Sequence, residues 1–389
     1  MKKKKGFIQG ALVGALVVFS VMGLVSCGIV GANRNIVSSE AERKLSGLRQ
    51  IIDETYLGEV EDDKLTEGLY KGYMEALGDP YSEYYNEEET KELTESISGE
   101  FSGVGALLSQ NRDTGLITIT KVYEDSPAME AGLRDGDILY KVDGKDISGQ
   151  ALDDVVSCIR GEKGTKVEFT VIRGIEAEEV TVTAVRDIVE EQTIAYEMRE
   201  AKIGYLAIAA FDTVTAKQYE EALRDLINQG MEGLVIDIRN NPGGDLDAVC
   251  QMLDLILPEG LIVYTEDKDG KKKEYKSDKE DILDIPMAVL VNGNSASASE
   301  IFAGAIQDYG EGVIVGTQTY GKGVVQSIFM LKDGSSVKLT VSEYFTSKGK
   351  TINGKGITPD VKVEYKYDEK NPTADNQLEK ALEVLEKEM

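Results

Sequence analysis

Three serines alternate in Asn294-Ser-Ala-Ser-Ala-Ser-Glu300, where the apolar run Met287-Ala-Val-Leu-Val-Asn292 gives way to an apolar helical pattern. Serines crowded at a strand-to-helix turn are candidate nucleophiles. A hydroxyl attacks well only when a base takes its proton, and this chain contains no histidine. That excludes a Ser-His-Asp triad and removes the principal ligand of the commonest zinc sites. The strongest remaining base is a neutral lysine. A free lysine amine titrates near ~10.4, so keeping it neutral at pH 7 costs roughly 4 kcal/mol. Burial can supply that much. The base should therefore sit in tight, apolar surroundings rather than in a charged run. Lys322, in Tyr320-Gly-Lys-Gly-Val-Val-Gln326, is such a lysine, with glycines that let backbones approach and two valines after it. Each residue alone also has a plainer reading. Ser297-x-x-Glu300 is a capping box, and most lysines occupy the surface. At this level Ser295, Ser297 and Ser299 all stay open.

The elements that must position these groups follow from periodicity. Between 180 and 365, strands over 203–208, 233–239, 287–292 and 312–316 are separated by helices over 215–229, 245–257 and 300–309. That alternation predicts an α/β core. Asp267-Lys-Asp-Gly270 reads as a hairpin turn, with 271–273 as a solvated loop. Upstream, 36–57 and 64–77 carry apolar residues at helical spacing. Gly78-Asp-Pro-Tyr-Ser82 then breaks the pattern, and 87–97 resumes as an acidic helix. The tail 374–389 is an amphipathic helix with Leu378, Leu382 and Leu385 on one stripe.

Residues 99–174 form a unit of short strands and two small helices. Ser126-Pro-Ala-Met-Glu-Ala-Gly132 is a short helix with cap, first-turn proline and terminal glycine in order. With Gly136-Asp-Ile-Leu139 and Val142-Asp-Gly144, this series resembles the bacterial form of a PDZ domain. Such domains bind a protein's C-terminus as an added strand and catch its carboxylate on backbone N–H groups. The matching loop is Phe101-Ser-Gly-Val-Gly-Ala106, which implies the amides around Val104, Gly105 and Ala106.

The whole chain of 389 residues has room for two or three domains, and 41% apolar and 29% charged residues describe a folded protein. A net charge of −27 argues against nucleic acid, which needs clustered Lys and Arg. Lys2 to Lys5 precede an uncharged, mostly apolar stretch from Gly6, the pattern of a signal segment or membrane anchor. Leu24-Val-Ser-Cys27 also resembles a bacterial lipobox, which would make Cys27 a lipid carrier. Either way the expected location is a bacterial cell membrane, with the chain beyond about residue 35 on the extracytoplasmic side. Cys158 and Cys250 are too few for a disulfide framework and read as small buried hydrophobes.

Taken together, Asn292-Gly-Asn-Ser-Ala-Ser-Ala-Ser-Glu300, Phe302-Ala-Gly-Ala-Ile-Gln-Asp308 and Gly321-Lys-Gly323 with Gln326 are similar to the carboxyl-terminal processing, or tail-specific, proteases. The likeness runs along the chain through Asp79-Pro-Tyr-Ser82, the PDZ-like unit, Asp237-Ile-Arg-Asn-Asn-Pro-Gly-Gly244 and Gly354-Lys-Gly-Ile-Thr-Pro-Asp360. It implies an α/β protease core, ClpP/crotonase-like, with an inserted PDZ domain, flanking helices and no metal or cofactor. The expected layout is 1–35 signal or anchor, 36–98 helical region, 99–175 PDZ domain, 176–365 protease core and 366–389 C-terminal helix. The implied activity is a serine endopeptidase acting on protein or peptide substrates near their C-termini. By this resemblance Ser297 is the nucleophile and Lys322, 25 residues later, the general base. Gln326, one helical turn beyond Lys322, would orient its amine, and Asp308 would give structural support. The tetrahedral oxyanion needs fixed donors. The Ala298 N–H at the helix start is one, and Gly243 the second; Pro242 cannot donate and Gly244 is the fallback.

Two other classes compete. One is an inactive PDZ scaffold that binds C-termini without cutting, which loss of Ser297 or Lys322 would have signalled. The other is a penicillin-binding-type acyl enzyme using Ser335/Lys338 or Ser347/Lys350. Those serines fall in a strand and a turn rather than at a helix start, and no Lys-Thr-Gly follows. The apolar faces of the helical region and tail also offer surfaces for a homodimer.

Overall fold

The computed structural model describes residues 38–278, 283–387 and 389. The expected anchor or signal segment, with Cys27, lies outside them. No helix among the described residues is long and apolar enough to cross a membrane. The described residues form two compact units, one within 38–91 and 326–340, the other within 92–325 and 341–389.

The first unit begins with helices α1 (Ser39–Thr55) and α2 (Asp62–Glu75). Ser38 caps α1 by accepting the Ala41 N–H. In the Gly78–Ser82 turn the Asp79 carboxylate accepts the Tyr81 N–H and the Ser82 hydroxyl. Strand β1 (Glu83–Tyr85) then pairs antiparallel with residues 336–338, and the acidic helix α3 (Glu87–Ser98) leads onward into the second unit.

The second unit contains the PDZ-like sheet. Strands β2 (Glu100–Gly103), β3 (Ala106–Gln110) and β4 (Ile117–Val122) precede the short helix α4 (Pro127–Ala131). The caps are those the sequence spells out. Ser126 Oγ accepts the Met129 N–H, Pro127 opens the helix, and Gly132 closes it at φ +85°. Next come β5 (Ile138–Val142), β6 (Lys145–Asp146), α5 (Leu152–Ile159), β7 (Lys166–Arg173) and β8 (Glu178–Val185). The sheet order is β3-β4-β5-β7-β8, so the unit extends past residue 175 to take in β8. β9 (Asp187–Glu190) returns to pair with β2, closing the stem of the insertion.

The protease-like core is built on a six-stranded sheet ordered β10-β11-β12-β15-β16-β19. Its members in chain order are β10 (Ile194–Met198), β11 (Ile203–Ile208), α6 (Thr215–Asn228), β12 (Gly233–Asp237) and α7 (Leu246–Asp254). They continue with β13 (Gly260–Asp267), β14 (Lys272–Ser277), β15 (Met287–Val291), α8 (Ala298–Tyr309) and β16 (Val313–Gly316). β17 (Val324–Met330), β18 (Ser336–Thr346), β19 (Val361–Lys362) and α9 (Asn376–Leu385) complete the chain. From β11 to β19 neighbouring strands run parallel. Such strands are buried on both faces. Leu234, Ile236 and Val289 face α6, α7 and α8, while Val235, Ala288 and Leu290 face α9. Leu385 of α9 is fully buried there, worth about 1.5–3 kcal/mol. The turn at Asp267–Gly270 is a hairpin as expected, but Lys272 and Lys273 begin β14 rather than a loop. They pair with Glu266 and Thr265 of β13, and their amines lie over the rings of Tyr264 and Tyr275 in cation–π contact.

Candidate active site

Three adjacent parallel strands, β12, β15 and β16, deliver the loops 238–245, 292–297 and 317–323 from their carboxyl ends. Sites in open α/β sheets form at such ends. Two side chains sew the first two loops together. Ser295 is fully buried and its hydroxyl donates to the Ile238 carbonyl at 2.8 Å; Ser299, equally buried, donates to the Asn241 carbonyl at 2.9 Å. The Ala296 N–H also goes to Asn241. Ser297 lies between them, half-exposed, at φ 56° and ψ −115°. A non-glycine residue held there stores on the order of 1–3 kcal/mol of strain.

Glu300 holds it. This carboxylate is fully buried and accepts four hydrogen bonds. Its Oε2 takes the N–H of Ser297 at 2.9 Å and of Lys322 at 2.8 Å. Its Oε1 takes the Thr319 hydroxyl at 2.6 Å and the Gly321 N–H at 2.7 Å. The return half of the predicted capping box is thus made, and the same carboxylate also grips the lysine loop. Burial pushes the Glu300 carboxyl above its ordinary value, against the pull of those donors. Lys322 itself is half-buried. Its flanking glycines are required: a Cβ on Gly323 would fall 2.3 Å from the Asn353 nitrogen, and one on Gly321 3.1 Å from that of Lys355. The Gly354-Lys-Gly-Ile segment therefore packs directly on the lysine loop.

The oxyanion donors divide. Ala298 is the first residue of α8, where an N–H has no intrahelical acceptor. The Gly243 N–H, expected to be the second donor, is already given to Asn241 Oδ1 at 2.8 Å. Asn241, buried and itself donating to the Ile208 carbonyl, folds its side chain back on the loop, and in this conformation Gly243 supplies no donor. Gly243 still lines the site. At φ +105° its Cβ would stand 2.8 Å from Ser297 Cβ and 2.9 Å from the Ala298 nitrogen, filling the space before that amide. Gly243→Ala is expected to lower kcat about 100-fold or more, the value of an oxyanion donor, which steady-state kinetics on folded protein would measure. An unchanged rate would show that nothing binds before the Ala298 amide.

Gln326 lies on β17, not a helical turn past Lys322, and belongs to the first unit. Its Nε2 donates to Thr340 Oγ1 at 3.1 Å. The valines that end the lysine loop begin a strand, and strand pairing overrides the helical spacing. Asp308, in α8, accepts the Ser347 hydroxyl, the Lys348 N–H and the Lys350 ammonium, bracing the loop after β18.

In the PDZ-like sheet β3 is an edge strand, with α5 packed beside it. Added-strand binding uses such an edge. Val104 and Gly105 turn their carbonyls inward to the N–H groups of Ala128 and Tyr123, and Ala106 opens β3. A Cβ on Gly105, at φ +76°, would fall 2.5 Å from Ser126 Cβ, so the loop depends on glycine there.

Residues 211–214 join the end of α3, which leads into this insertion, to the site. The Thr213 and Val214 N–H groups bond the carbonyls of Ile97 and Ser98, while the Phe211 N–H bonds Gly243 and the Asp245 N–H bonds Phe211. Between them Asp212 is 8% exposed, and burial, reinforced by Glu191 and Asp245, pushes its carboxyl up to about 6. A carboxyl raised by folding supports the fold fully below its unfolded value of ~3.9 and loses that support as pH rises through the folded value. Asp212→Asn should therefore outmelt wild type at pH 8, by on the order of 1–3 kcal/mol, and lose most of that advantage only by about pH 4. Equal calorimetric shifts at both pH values would contradict a buried charge as the cause.

A cavity of about 770 Å³ opens elsewhere on the same sheet edge, lined by Thr193, Asp237, Arg239, Asn292 and Tyr365 among others but not by Ser297, Lys322, Gly243 or Ala298. Arg239 there grips Asp237 at 2.6 Å and Asp375 at 2.7 Å, which ties α9 to the end of β12. In the sequence Glu300 carries the signal of a helix cap only, and Arg239 and Tyr344 carry no signal of these contacts. Among the described residues no cluster of His, Cys, Asp and Glu could hold a metal.

The profile of Peptidase family S41 matches residues 202–363, that of a PDZ domain 118–173, and that of the activating protease CtpB N-terminal domain 28–90. A probable CtpA-like serine protease of Staphylococcus epidermidis is 34% identical over 372 residues, 94% of this chain and 75% of that protein. A Staphylococcus aureus counterpart is 35% identical over 360 residues, 91% of this chain and 71% of that protein. The solved photosystem II D1 C-terminal processing protease is 30% identical, covering 90% of this chain and 98% of its own, with a TM-score of 0.49. A putative S41 protease of Bacteroides fragilis shares the fold at 18% identity and a TM-score of 0.53, covering 82% and 90% of the two chains. The chain belongs to the carboxyl-terminal processing, CtpA-like serine proteases of peptidase family S41, with a PDZ domain.

Proposed function

We propose that the protein is a Ser-Lys endopeptidase that cuts protein substrates near C-termini held by its PDZ domain. One observation carries the reading: a single buried oxygen, Glu300 Oε2, binds the main-chain N–H of both Ser297 and Lys322. A carboxylate so placed fixes a nucleophile and a base against each other across 25 residues of sequence. Ser297 Oγ attacks the scissile carbonyl as its proton passes to the neutral Lys322 amine. The Ala298 N–H stabilises the oxyanion. The lysine ammonium protonates the leaving amine, and the acyl-enzyme is hydrolysed by water with Lys322 again taking the proton. Gln326 is assigned the orienting of that amine by family likeness.

The substrate's tail adds to β3, with its carboxylate on the Val104, Gly105 and Ala106 loop. The core is assigned to the ClpP/crotonase-like group by the same likeness. The N-terminal segment anchors the chain on the extracytoplasmic side of a bacterial membrane, by a span or through Cys27; labelling with radioactive palmitate tests the lipid. Exposed Leu45, Leu48, Ile51 and Leu69 on α1 and α2 suit a homodimer, which sedimentation would refute by returning a monomer.

The test is cleavage of an unfolded protein ending in small apolar residues, read by mass spectrometry, with its C-terminus free or amidated. Cleavage of the free form alone supports the whole reading. Equal cleavage of both removes the PDZ from recognition, and absence of cleavage favours the inactive scaffold.

A further inference from the structure

The amides of Ser297 and Lys322 meet on Glu300, and their carbonyls meet on a second buried group. Tyr344, on β18, is 1% exposed. Its hydroxyl donates to the Ser297 carbonyl at 3.1 Å and, more closely, to the Lys322 carbonyl. Its own N–H donates to the Gly323 carbonyl at 3.0 Å, which anchors the ring beside the lysine loop. We infer that Tyr344 is a positioning residue for the reaction, its hydroxyl holding the main chains of Ser297 and Lys322 in register. The inference rests on the proposed Ser-Lys reading.

The two carbonyls are not equally dependent on it. The Ser297 carbonyl also receives the first-turn N–H groups of Glu300 and Ile301. The phenol carries one hydrogen, and the closer approach gives it chiefly to Lys322. Glycines on both sides of Lys322 give that loop the freedom to drift once the contact is lost. The loop would keep its amide bonds to Glu300 and the Tyr344 N–H bond at Gly323, while the Lys322 carbonyl would lose this hydroxyl. The general base is thus the partner whose place the hydroxyl decides.

Tyr344→Phe removes one oxygen and leaves the ring in the core, so it separates position from packing. Misplacing a catalytic group by about 1 Å costs up to ~10²-fold. In the full-length enzyme Tyr344→Phe is expected to lower kcat about 10- to 100-fold with KM changed less than about 3-fold. The rate constant for phosphonylation of Ser297 by a small fluorophosphonate, with fluoride as leaving group, should fall in parallel. The fraction of sites labelled at completion should stay at the wild-type level, because that fraction counts folded sites. Wild-type kcat and labelling rate would overturn the inference. So would a reduced labelled fraction whose per-site rate is normal, since that is a purely structural effect. Ser297→Ala and Lys322→Ala are run beside it. If either keeps wild-type cleavage, the Ser-Lys reading fails and takes this inference with it. If both are inactive while Tyr344→Phe behaves as wild type, only the inference fails.

Discussion

Ser297→Ala, Lys322→Ala and Lys322→Arg should each lower cleavage about 10⁴-fold or more while melting within a few degrees of wild type. Removing one member of a nucleophile–base unit costs nearly as much as removing both, so the Ser297→Ala/Lys322→Ala double variant should be no worse than the singles. Lys322→Arg is the sharper test. It keeps the positive charge and most of the length, but a guanidinium cannot be deprotonated in a protein. If Lys322 only supplied charge to an oxyanion, Arg would retain much of the activity. If it is the base, Arg is as inactive as Ala. Wild-type activity should rise with pH along an acid limb, because only the neutral amine accepts the serine proton. Peptide-cleavage rates measured across pH 6–10 on wild type and the four variants would decide this. Substantial activity in Lys322→Arg would sink the general-base role while leaving Ser297 in place.

Glu300→Gln should be nearly as damaging for a different reason. The carboxylate offers two oxygens to four donors, and the amide offers one oxygen and two hydrogens. Turned toward Ser297 and Lys322, its NH₂ opposes both catalytic N–H groups. Turned the other way, it opposes the Gly321 N–H, although the Thr319 hydroxyl, which already accepts the Ile357 N–H, can rotate to accept from it. A buried donor left unpaired costs ~1–3 kcal/mol. Folding stability should therefore fall by about 2–4 kcal/mol. The rate per folded molecule should fall about 10²- to 10³-fold as the strained Ser297 relaxes. Denaturant melts together with active-site labelling would separate the two losses. A fully active Glu300→Gln enzyme would show that the shared oxygen does not hold the dyad.

The parts of this fold that local chemistry writes were legible. Ser126, Pro127 and Gly132 occupy the cap, first turn and left-handed end of one short helix. The buried strands 203–208, 233–237 and 287–291 stand where apolar runs bounded by turns place them. Where strand and helix spacing compete, the pattern misled. Gln326 has helical spacing from Lys322 but lies in a strand, and Lys272 and Lys273 look like a loop but pair with β13.

The sequence by itself determined the kind of chemistry. Without histidine, lysine is the strongest base left to a serine nucleophile, and residues 321–323 set one candidate lysine between two glycines. Tertiary structure alone decided how the parts meet. Three serines at alternating positions are equivalent on paper. Burial commits Ser295 and Ser299 to the carbonyls of 238 and 241 and leaves Ser297 half-exposed. Glu300 reads as a helix cap until the loop from β16 folds onto its other oxygen, and Tyr344 has no signal at all until β18 carries its hydroxyl to the lysine loop. The Gly243 amide looks available until Asn241 turns back to take it. Periodicity records which face of an element is apolar. The partner of a buried polar group is set by contacts across tens of residues, and a local pattern carries no record of them.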